Sequence, residues 1–551
     1  MPKLNFLRHS FGRIAAAGLS TALAVTALAA LPSAASASHS QLAMIEDYSA
    51  LNPNPAAADS TLLQFRTLGA NTIRVIVPWA SIAPSATKTK KPSFNATDPN
   101  AYSAKAWAPF DNLVREASTL GLKVDLTVTG GAPRWAEASA PAQPVAESLS
   151  NLAWKPNAAD YGQFVRAIGT RYDGSFVPKG QSSALPAVHF WAIFNEPNFG
   201  EDLGPQALGG SKTAYAPMAY RNLVNAGWSA LKATRHGHDT ILIGETAARG
   251  LQGGRYPGNY SQTKPLTFIR DLYCVDTNYR ELRGSAAKSI GCPTTAAASR
   301  KFRSQNPGLF NASGFGDHPY PGNGTPLTDG RGDPNYAAFP DLGNLERALD
   351  RVNRVYGSGK HYSIYNDEYG YITDPPNRGT VQGGGHYVSP ATAAYYINWA
   401  EYLSWKSPRV ATTMQYLLED PPQAAGVLAE FSSGLETSTG AHKATYAAYT
   451  LPLYLPHTSV SHSANTEVWG DVRPAPFLKS QGAQKVAIQL NGQTLKTVTV
   501  TGSTGYFDIK MKLPKSGNLR LVYTYPSTAP FLTPGVAGST VYSRNVAIKV
   551  H

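Results

Sequence analysis

The chain has 551 residues, 42% of them hydrophobic and 15% charged, with Gly 49 and Pro 41. That length exceeds one ordinary domain, and the composition excludes a disordered, collagenous or disulfide-rich chain. The formal net charge of +13 is scattered, with no basic run beyond Lys88–Lys91, so nucleic acid is not an expected partner.

Lys3, Arg8 and Arg13 precede an apolar run from Ile14 to Leu31, and Ala35-Ser36-Ala37 offers a small-residue cleavage site. Residues 1–37 are therefore predicted to be a signal peptide, which makes the mature protein secreted, extracellular or associated with the cell wall. No later apolar run is long enough to span a bilayer, so no membrane association is expected after cleavage. The only cysteines, Cys274 and Cys292, are expected to form a disulfide, since export favours oxidation.

After the leader, strand and helix patterns alternate. Leu42–Tyr48 (LAMIEDY) reads as a strand and Ser60–Leu68 as a helix stopped by Gly69. Thr72–Trp79 is a strand, followed by a helix over Trp107–Leu120 with Phe110, Leu113, Val114, Ala117 and Leu120 on one face. The series continues with strands Val124–Thr129, Val188–Phe194, Thr240–Gly244, Gly314–His318, Tyr362–Asp367 and Val410–Leu417. Helices interleave at Asn157–Tyr172, Tyr215–Thr234, Leu266–Cys274, Leu342–Tyr356, Ser389–Trp405 and His442–Thr450, while Gly253–Gly258 and Gly322–Pro340 read as loops. Eight strand–helix pairs predict an α/β protein with a (β/α)8 TIM barrel over residues 40–456. A doubly wound open sheet is disfavoured because no Gly-rich phosphate loop follows the first strand.

Beyond Pro456 the runs shorten and alternate: Lys485–Leu490, Leu495–Val500, Tyr506–Met511 and Leu519–Tyr525, with Asn491-Gly492 as a turn. Residues 459–551 are predicted to form a small antiparallel, Ig-like β-sandwich, with no carboxylate constellation in it.

Two acids stand apart. AVHFWAIFNEPNFG (187–200) is an apolar strand broken by proline, which leaves Glu196 at its C-terminal tip. YSIYNDEYGY (362–371) delivers Glu368 to the same kind of strand end. In a barrel both tips face the same mouth, and a facing pair of carboxylates is what glycosidic bond cleavage requires. Asp367 is expected on the opposite side of the strand from Glu368 by alternation, and Asp125 and Asp317 are assigned structural places on the same grounds. Trp79 and Trp135, just after strands two and three, are candidate sugar-stacking faces, with core packing as the alternative for each.

The Asn195-Glu196-Pro197 motif after strand four, with Glu368 ending strand seven, resembles the clan A glycoside hydrolases. Phe194–Asn198 (FNEPN), Asp317–Pro321 (DHPYP) and Ala132–Ala136 (APRWA) are most similar to family 39, with the cellulase-like family 5 next. The resemblance runs from about residue 40 to 455. It implies Glu196 as acid/base, Glu368 as nucleophile, Asn195 as a ligand of the sugar 2-hydroxyl, Arg74 as partner of the nucleophile, and His318 and Tyr320 as hydrogen-bonding groups near it. It also implies retention of anomeric configuration. Gly130-Gly131 stands where many clan members carry His. Gln415 and Tyr416 stand where many carry Trp, and Tyr416 is counted with the substrate-binding set.

The expected protein is thus a secreted, monomeric retaining hydrolase of a β-linked polysaccharide or oligosaccharide, needing no metal or organic cofactor. A silent carbohydrate-binding protein and a transglycosylase on the same barrel are the alternatives.

Overall fold

A computed structural model describes residues 40–51, 55–139, 152–208, 213–251, 261–328, 332–379, 381, 385–422, 431–502, 504–529 and 531–551. The predicted signal peptide and the Gly253–Gly258 loop lie outside the described residues, as does part of the Gly322–Pro340 loop. Among the described residues, no helix is long and apolar enough to cross a membrane.

Eight parallel strands form one sheet: β1 (Leu42–Glu46), β2 (Thr72–Pro78), β3 (Lys123–Thr129), β4 (Phe190–Ile193), β5 (Thr240–Ala247), β6 (Gly314–His318), β7 (Ser363–Asn366) and β8 (Thr412–Tyr416). β1 pairs with β8 from Leu42↔Thr412 to Glu46↔Tyr416. The ring closes between β7 and the approach to β8, where Ile364 N donates to Arg409 O at 2.7 Å and Ala411 N donates to Ile364 O at 2.8 Å. A closed parallel barrel has no free sheet edge and packs its strands on both faces, which explains the near-continuous burial of β2, β3 and β4.

Each strand is followed by a covering helix: α1 (Pro55–Thr67), α2 (Ala104–Leu120), α3 (Ala158–Arg171), α4 (Ala216–Ala233), α5 (Pro265–Leu272), α6 (Leu342–Val355), α7 (Pro390–Lys406) and α8 (Ala444–Thr450). Local chemistry sets their ends. Asn157 accepts from the Ala159 and Asp160 amides to start α3, Ser389 accepts from Thr392 N to start α7, and Gly121 closes α2 in the left-handed region. The buried face of α6, with Leu345, Leu349 and Val352, lies where the 3.6-residue spacing puts it. Three short helices between α5 and β6 (Gly284–Ser289, Ala296–Gln305 and Pro307–Asn311) have no counterpart in the sequence reading, because their Ala/Ser/Gly-rich stretches lack an apolar period. Cys274 and Cys292 are bonded beside this insertion.

C-terminal to the barrel lie two mostly antiparallel sheets. One contains β9 (Leu453–Tyr454), β11 (Thr466–Asp471) and β14 (Tyr506–Met511). The other contains β10 (Ser459–Val460), β12 (Gln484–Leu490), β13 (Gln493–Val500), β15 (Gly517–Thr524), β16 (Thr540–Tyr542) and β17 (Val546–Val550). Val468 and Phe507 from the first sheet share a buried cluster with Ile488, Leu519 and Leu521 from the second, which makes a sandwich. Asn491-Gly492 has positive φ at both positions, the geometry that suits a two-residue hairpin joining β12 and β13. The β10–β17 pair is parallel, unlike the purely antiparallel arrangement expected.

Candidate active site

The site is built at the C-terminal ends of the barrel strands. β4 stops at Ile193, and the chain turns through Phe194 (φ +71°) and Glu196 (φ +35°), a left-handed backbone that costs on the order of 1–3 kcal/mol per non-glycine residue. Three anchors hold it. Asn195 N donates to Thr129 Oγ1 at 2.9 Å, Phe199 N donates to Glu196 O at 2.8 Å, and the Asn198 amide bridges the backbone at Ala247 and Thr263. The motif's asparagines thus serve as fasteners on both sides of Glu196.

Arg74, on β2, lies fully buried at the centre. Nη1 is 2.6 Å from both Glu46 Oε2 and Glu368 Oε1. Nη2 donates to Asn195 Oδ1 at 2.7 Å and to Glu245 Oε2 at 3.1 Å, and Nε donates to Thr127 Oγ1 at 3.1 Å. Its five donors are used on side chains from five strand positions, so the guanidinium fixes their relative places. His318 Nδ1 is 2.9 Å from Glu196 Oε1 and 3.5 Å from Glu368 Oε2. The Tyr320 hydroxyl donates to Glu368 Oε2 at 3.1 Å. One oxygen of Glu196, one of Glu368 and a ring nitrogen of His318 all lie within 4.8 Å of one another.

The two glutamates are 15% and 12% exposed, whereas Arg74 and His318 are inaccessible. A bound molecule can therefore touch the carboxylates but not the groups that orient them. Above them opens a cleft of about 430 Å³ lined by Asn195, Glu196, Asp202, Tyr320, Glu368 and Tyr416, within the usual size range of small-molecule sites.

Acids outnumber cations here, and the surplus sets protonation. Burial raises Glu46 to about 7, and Glu368 adds to the rise while Arg74 opposes it. Burial and the charge of Glu245 push Asp367 and Asp125 well up, and burial does the same to Asp317. Asp202 is also held well up, by burial and by its closeness to Glu196 and Glu368, while a hydrogen bond with the Asn195 side chain opposes this. For Glu245, burial works against the charge, but His318, Asp367 and Arg74 outweigh it and lower the group to about 2. His318 is raised well above its ordinary value: burial opposes protonation, and Glu368, Glu196 and Glu245 override it. Asp367 then keeps its proton and can donate it to Glu245. That accounts for the buried Asp367 and Glu245 Oε1 oxygens, which have no other hydrogen-bond partner.

The structure brings together Glu196, Glu368, Arg74, Asn195, His318, Tyr320 and Tyr416 of the sequence-predicted set. It does not bring Trp79 or Trp135 there. Trp79 is 1% exposed and stacks at 6.0 Å on Phe164 of α3, so it is core between barrel and helix layer rather than a sugar platform. Trp135 packs edge-on against Trp79 and Phe94, with Lys91 over its ring and its indole N–H donated to Pro84 O, and it does not line the cleft. Asp367 also differs from expectation. It is fully buried with Oδ1 3.6 Å from His318 Nε2, on the same side as Glu368, because β7 ends at Asn366 and strand alternation no longer applies. At the β3 end the backbone of Gly131 accepts from Ala80 N, and at β8 the Gln415 amide is spent on the carbonyls of Tyr416, Leu417 and Ser433.

Glu46, Asp202 and Glu245 are site residues that the sequence reading did not select. Glu46 and Glu245 carry the signal used for Glu196 and Glu368, a carboxylate at a barrel strand's C-terminal end. Two triads here have the spacing of metal ligands, Glu196 with His318 and Glu368, and Glu245 with His318 and Asp367, each converging within 4.8 Å. Arg74 ion-pairs with Glu46, Glu245 and Glu368, so three of these acids already face a fixed cation.

No protein-family model matches the chain, and no curated protein matches it in sequence. Among solved structures, the chain is similar to an endo-β-1,4-mannanase from Thermotoga petrophila, at 12% identity over 93% of this chain and 98% of that one, with a TM-score of 0.38. It is similar to a family 1 β-glucosidase from Thermotoga maritima, at 14% identity over 72% and 84%, with a TM-score of 0.41. A Bacteroides uniformis β-glucuronidase aligns at 11% identity over 93% of this chain with a TM-score of 0.39, and the chain spans only 46% of that protein's length. Likeness at this level carries no functional conclusion by itself.

Proposed function

We propose that the protein is a retaining glycoside hydrolase acting on a β-linked polysaccharide or oligosaccharide. The observation that carries this reading is the convergence of Glu196 and Glu368, with oxygens inside 4.8 Å, on one open cleft. Retaining glycosidases hold their two carboxyl groups roughly 5–5.5 Å apart, whereas inverting ones need room for a water between them.

In this mechanism Glu196, as the acid, gives its proton to the glycosidic oxygen while Glu368 attacks the anomeric carbon. The bond to the leaving sugar breaks, and a glycosyl ester forms on Glu368. Water then enters, Glu196 takes its proton as a base, and the hydroxide attacks the same carbon to free Glu368. Arg74 and the Tyr320 hydroxyl bind one oxygen each of Glu368 and hold the carboxyl in line for the attack. Asn195, oriented by Arg74, presents its side chain to the cleft where the sugar 2-hydroxyl would lie. No step calls for a metal or an organic cofactor.

We place the mature enzyme outside the cell, working as a monomer. The basic residues ahead of an apolar run, with Ala35-Ser36-Ala37 after it, support export.

The test is a screen of the purified protein against polysaccharides and aryl glycosides, with products followed by mass spectrometry and anomeric configuration by NMR. Release of a β-configured product from a β-linked substrate is expected. An inverted product would overturn the double displacement, and unchanged turnover in Glu196→Gln would remove the acid/base assignment.

A further inference from the structure

β5 is irregular where it reaches the site. Its pairing with β6 runs Leu242↔Gly314 and Ile243↔Phe315, then resumes at Thr246↔Asp317, so the β5 side carries an extra residue. Gly244 (φ +107°) and Glu245 (φ +50°) take up the bulge, and Gly244 N leaves the ladder to donate to the Tyr220 hydroxyl at 2.7 Å. Bulges re-aim side chains and occur next to active sites. Here the bulge sends the fully buried Glu245 inward. Space is kept for it by Gly316, where a Cβ would stand 1.9 Å from Glu245 Oε1 and 2.5 Å from Asp367 Oδ2.

That carboxylate touches the supports of both candidate catalytic groups. Oε2 is 3.1 Å from Arg74 Nη2, beneath Glu368, and 3.7 Å from His318 Nε2, beneath Glu196. We propose that Glu245 is a positioning residue: it pins the far edge of the His318 ring so that Nδ1 stays aimed at Glu196, and it braces Arg74 under Glu368. This role rests on the glycosidase reading for its kinetic consequence but not for its structural one.

The surroundings of the ring decide its charge. It is faced by Glu196 just past β4, Glu245 from β5, Asp367 and Glu368 just past β7, Glu46 from β1 and Arg74 from β2, with Asp317 beside it on β6 and Asp202 also within electrostatic reach. Arg74 Nη2 lies 3.5 Å from Nε2, and a hydrogen bond there would demand an acceptor nitrogen. Its contacts to Asn195 and Glu245 are shorter, at 2.7 and 3.1 Å, so it is satisfied elsewhere. Nε2 then keeps its proton toward Glu245, and Nδ1 is free to donate between Glu196 and Glu368 as charge passes from one to the other.

Imidazole ¹⁵N NMR of the full chain tests this, with His318→Asn used to assign the resonance. Wild-type His318 is expected to hold both protons at about pH 8, and in Glu245→Gln its midpoint falls by about one pH unit or more. On an aryl glycoside that the wild type turns over, Glu245→Gln is expected to lower kcat by about 10-fold or more with KM within about 2-fold, and Glu245→Asp to recover most of the loss. An unchanged His318 midpoint in folded Glu245→Gln overturns the proposal. If neither variant folds, the wild type decides by which ring nitrogen keeps its proton above the midpoint: retention on Nε2, the edge facing Glu245, supports the proposal, and retention on Nδ1 overturns it. Absence of any glycan turnover would end the hydrolase reading, while the NMR comparison would still decide the Glu245–His318 link.

Discussion

Arg74 and Arg473 are each buried against more than one carboxylate, and they do different things. Arg74 sits at the barrel mouth against Glu46, Glu245 and Glu368. Arg473 sits where α7 meets the sandwich, ion-paired with Glu401 of α7 and, at 2.8 Å, with Asp471 of β11, and it donates to Tyr449 O at 2.9 Å. Each network also has a tyrosine: Tyr320 donates to Glu368, and Tyr506 donates to Glu401 at 3.2 Å. Each holds one acid raised to about 7 by burial, Glu46 in one and Asp471 in the other. The differences are space and surplus. The cleft over Arg74 measures about 430 Å³, whereas the cavity beside Arg473 is about 20 Å³, room for little more than a water. Gly69, at the end of α1, approaches Arg473 so closely that a Cβ there would be 2.6 Å from its side chain. A buried arginine with perturbed acids is therefore not in itself the mark of chemistry. The mark is such a network left open on one side, with two carboxylates partly exposed.

The comparison can be broken experimentally. Glu368→Ala is expected to lower kcat/KM by at least ~10³-fold on any substrate turned over. The loss of Tm should stay small, because Glu46 and Glu245 still neutralise Arg74. Near-normal turnover would refute the role of Glu368. Arg74→Met and Arg473→Met each strip a buried cation from its acids, at roughly 3–5 kcal/mol by denaturant titration. Arg74→Met should lose activity per folded molecule and Arg473→Met should keep it. Equal activity in the two would dissolve the distinction. Tyr320→Phe removes one hydrogen bond to a charged oxygen, worth about 1.5–3 kcal/mol, and should lower kcat about 10-fold or more. Tyr506→Phe should alter stability alone.

The smallest expected effect lies in pH. Glu46 in the folded protein holds its proton up to about 7, against an ordinary value of 4.5. The folded state then binds more protons than the unfolded one across that window, so stability falls as pH rises from 4.5 to about 7 and levels off above it. Glu46→Gln should flatten that fall, and Asp471→Asn should do the same from its ordinary value of 3.8 to about 7. Only Glu46→Gln should also reshape the pH–activity curve, since Glu46 shares Arg74 with Glu368.

Barrel and main site were legible where local chemistry coincided with chain order. Pro197 ends β4 and leaves Glu196 at its tip, and the alternating apolar stripes located all eight strands and their covering helices. Glu245 stands directly after TILIG, at a strand end like Glu196, and was passed over; what nothing local announces is the bulge that carries the strand on to Ala247 and turns this side chain inward. Asp367 was misplaced because alternation was extended past the last paired residue. Trp79 has the sequence position of a platform, but whether its ring turns to the cleft or to α3 depends on packing partners such as Phe164, more than 80 positions away. The Arg473 knot joins residues 72 apart that share no period, so no sequence pattern points to it.

The central claim is that Glu368 becomes covalently attached to a sugar. Incubation with activated 2-deoxy-2-fluoro-β-glycosides of the sugar released in the screen, followed by intact-mass and peptide analysis, tests it directly. One fluoroglycosyl group on the peptide carrying Glu368, absent in Glu368→Gln, is the predicted result. Attachment at another residue, or continued turnover of the natural substrate with no labelling at all, would contradict the account.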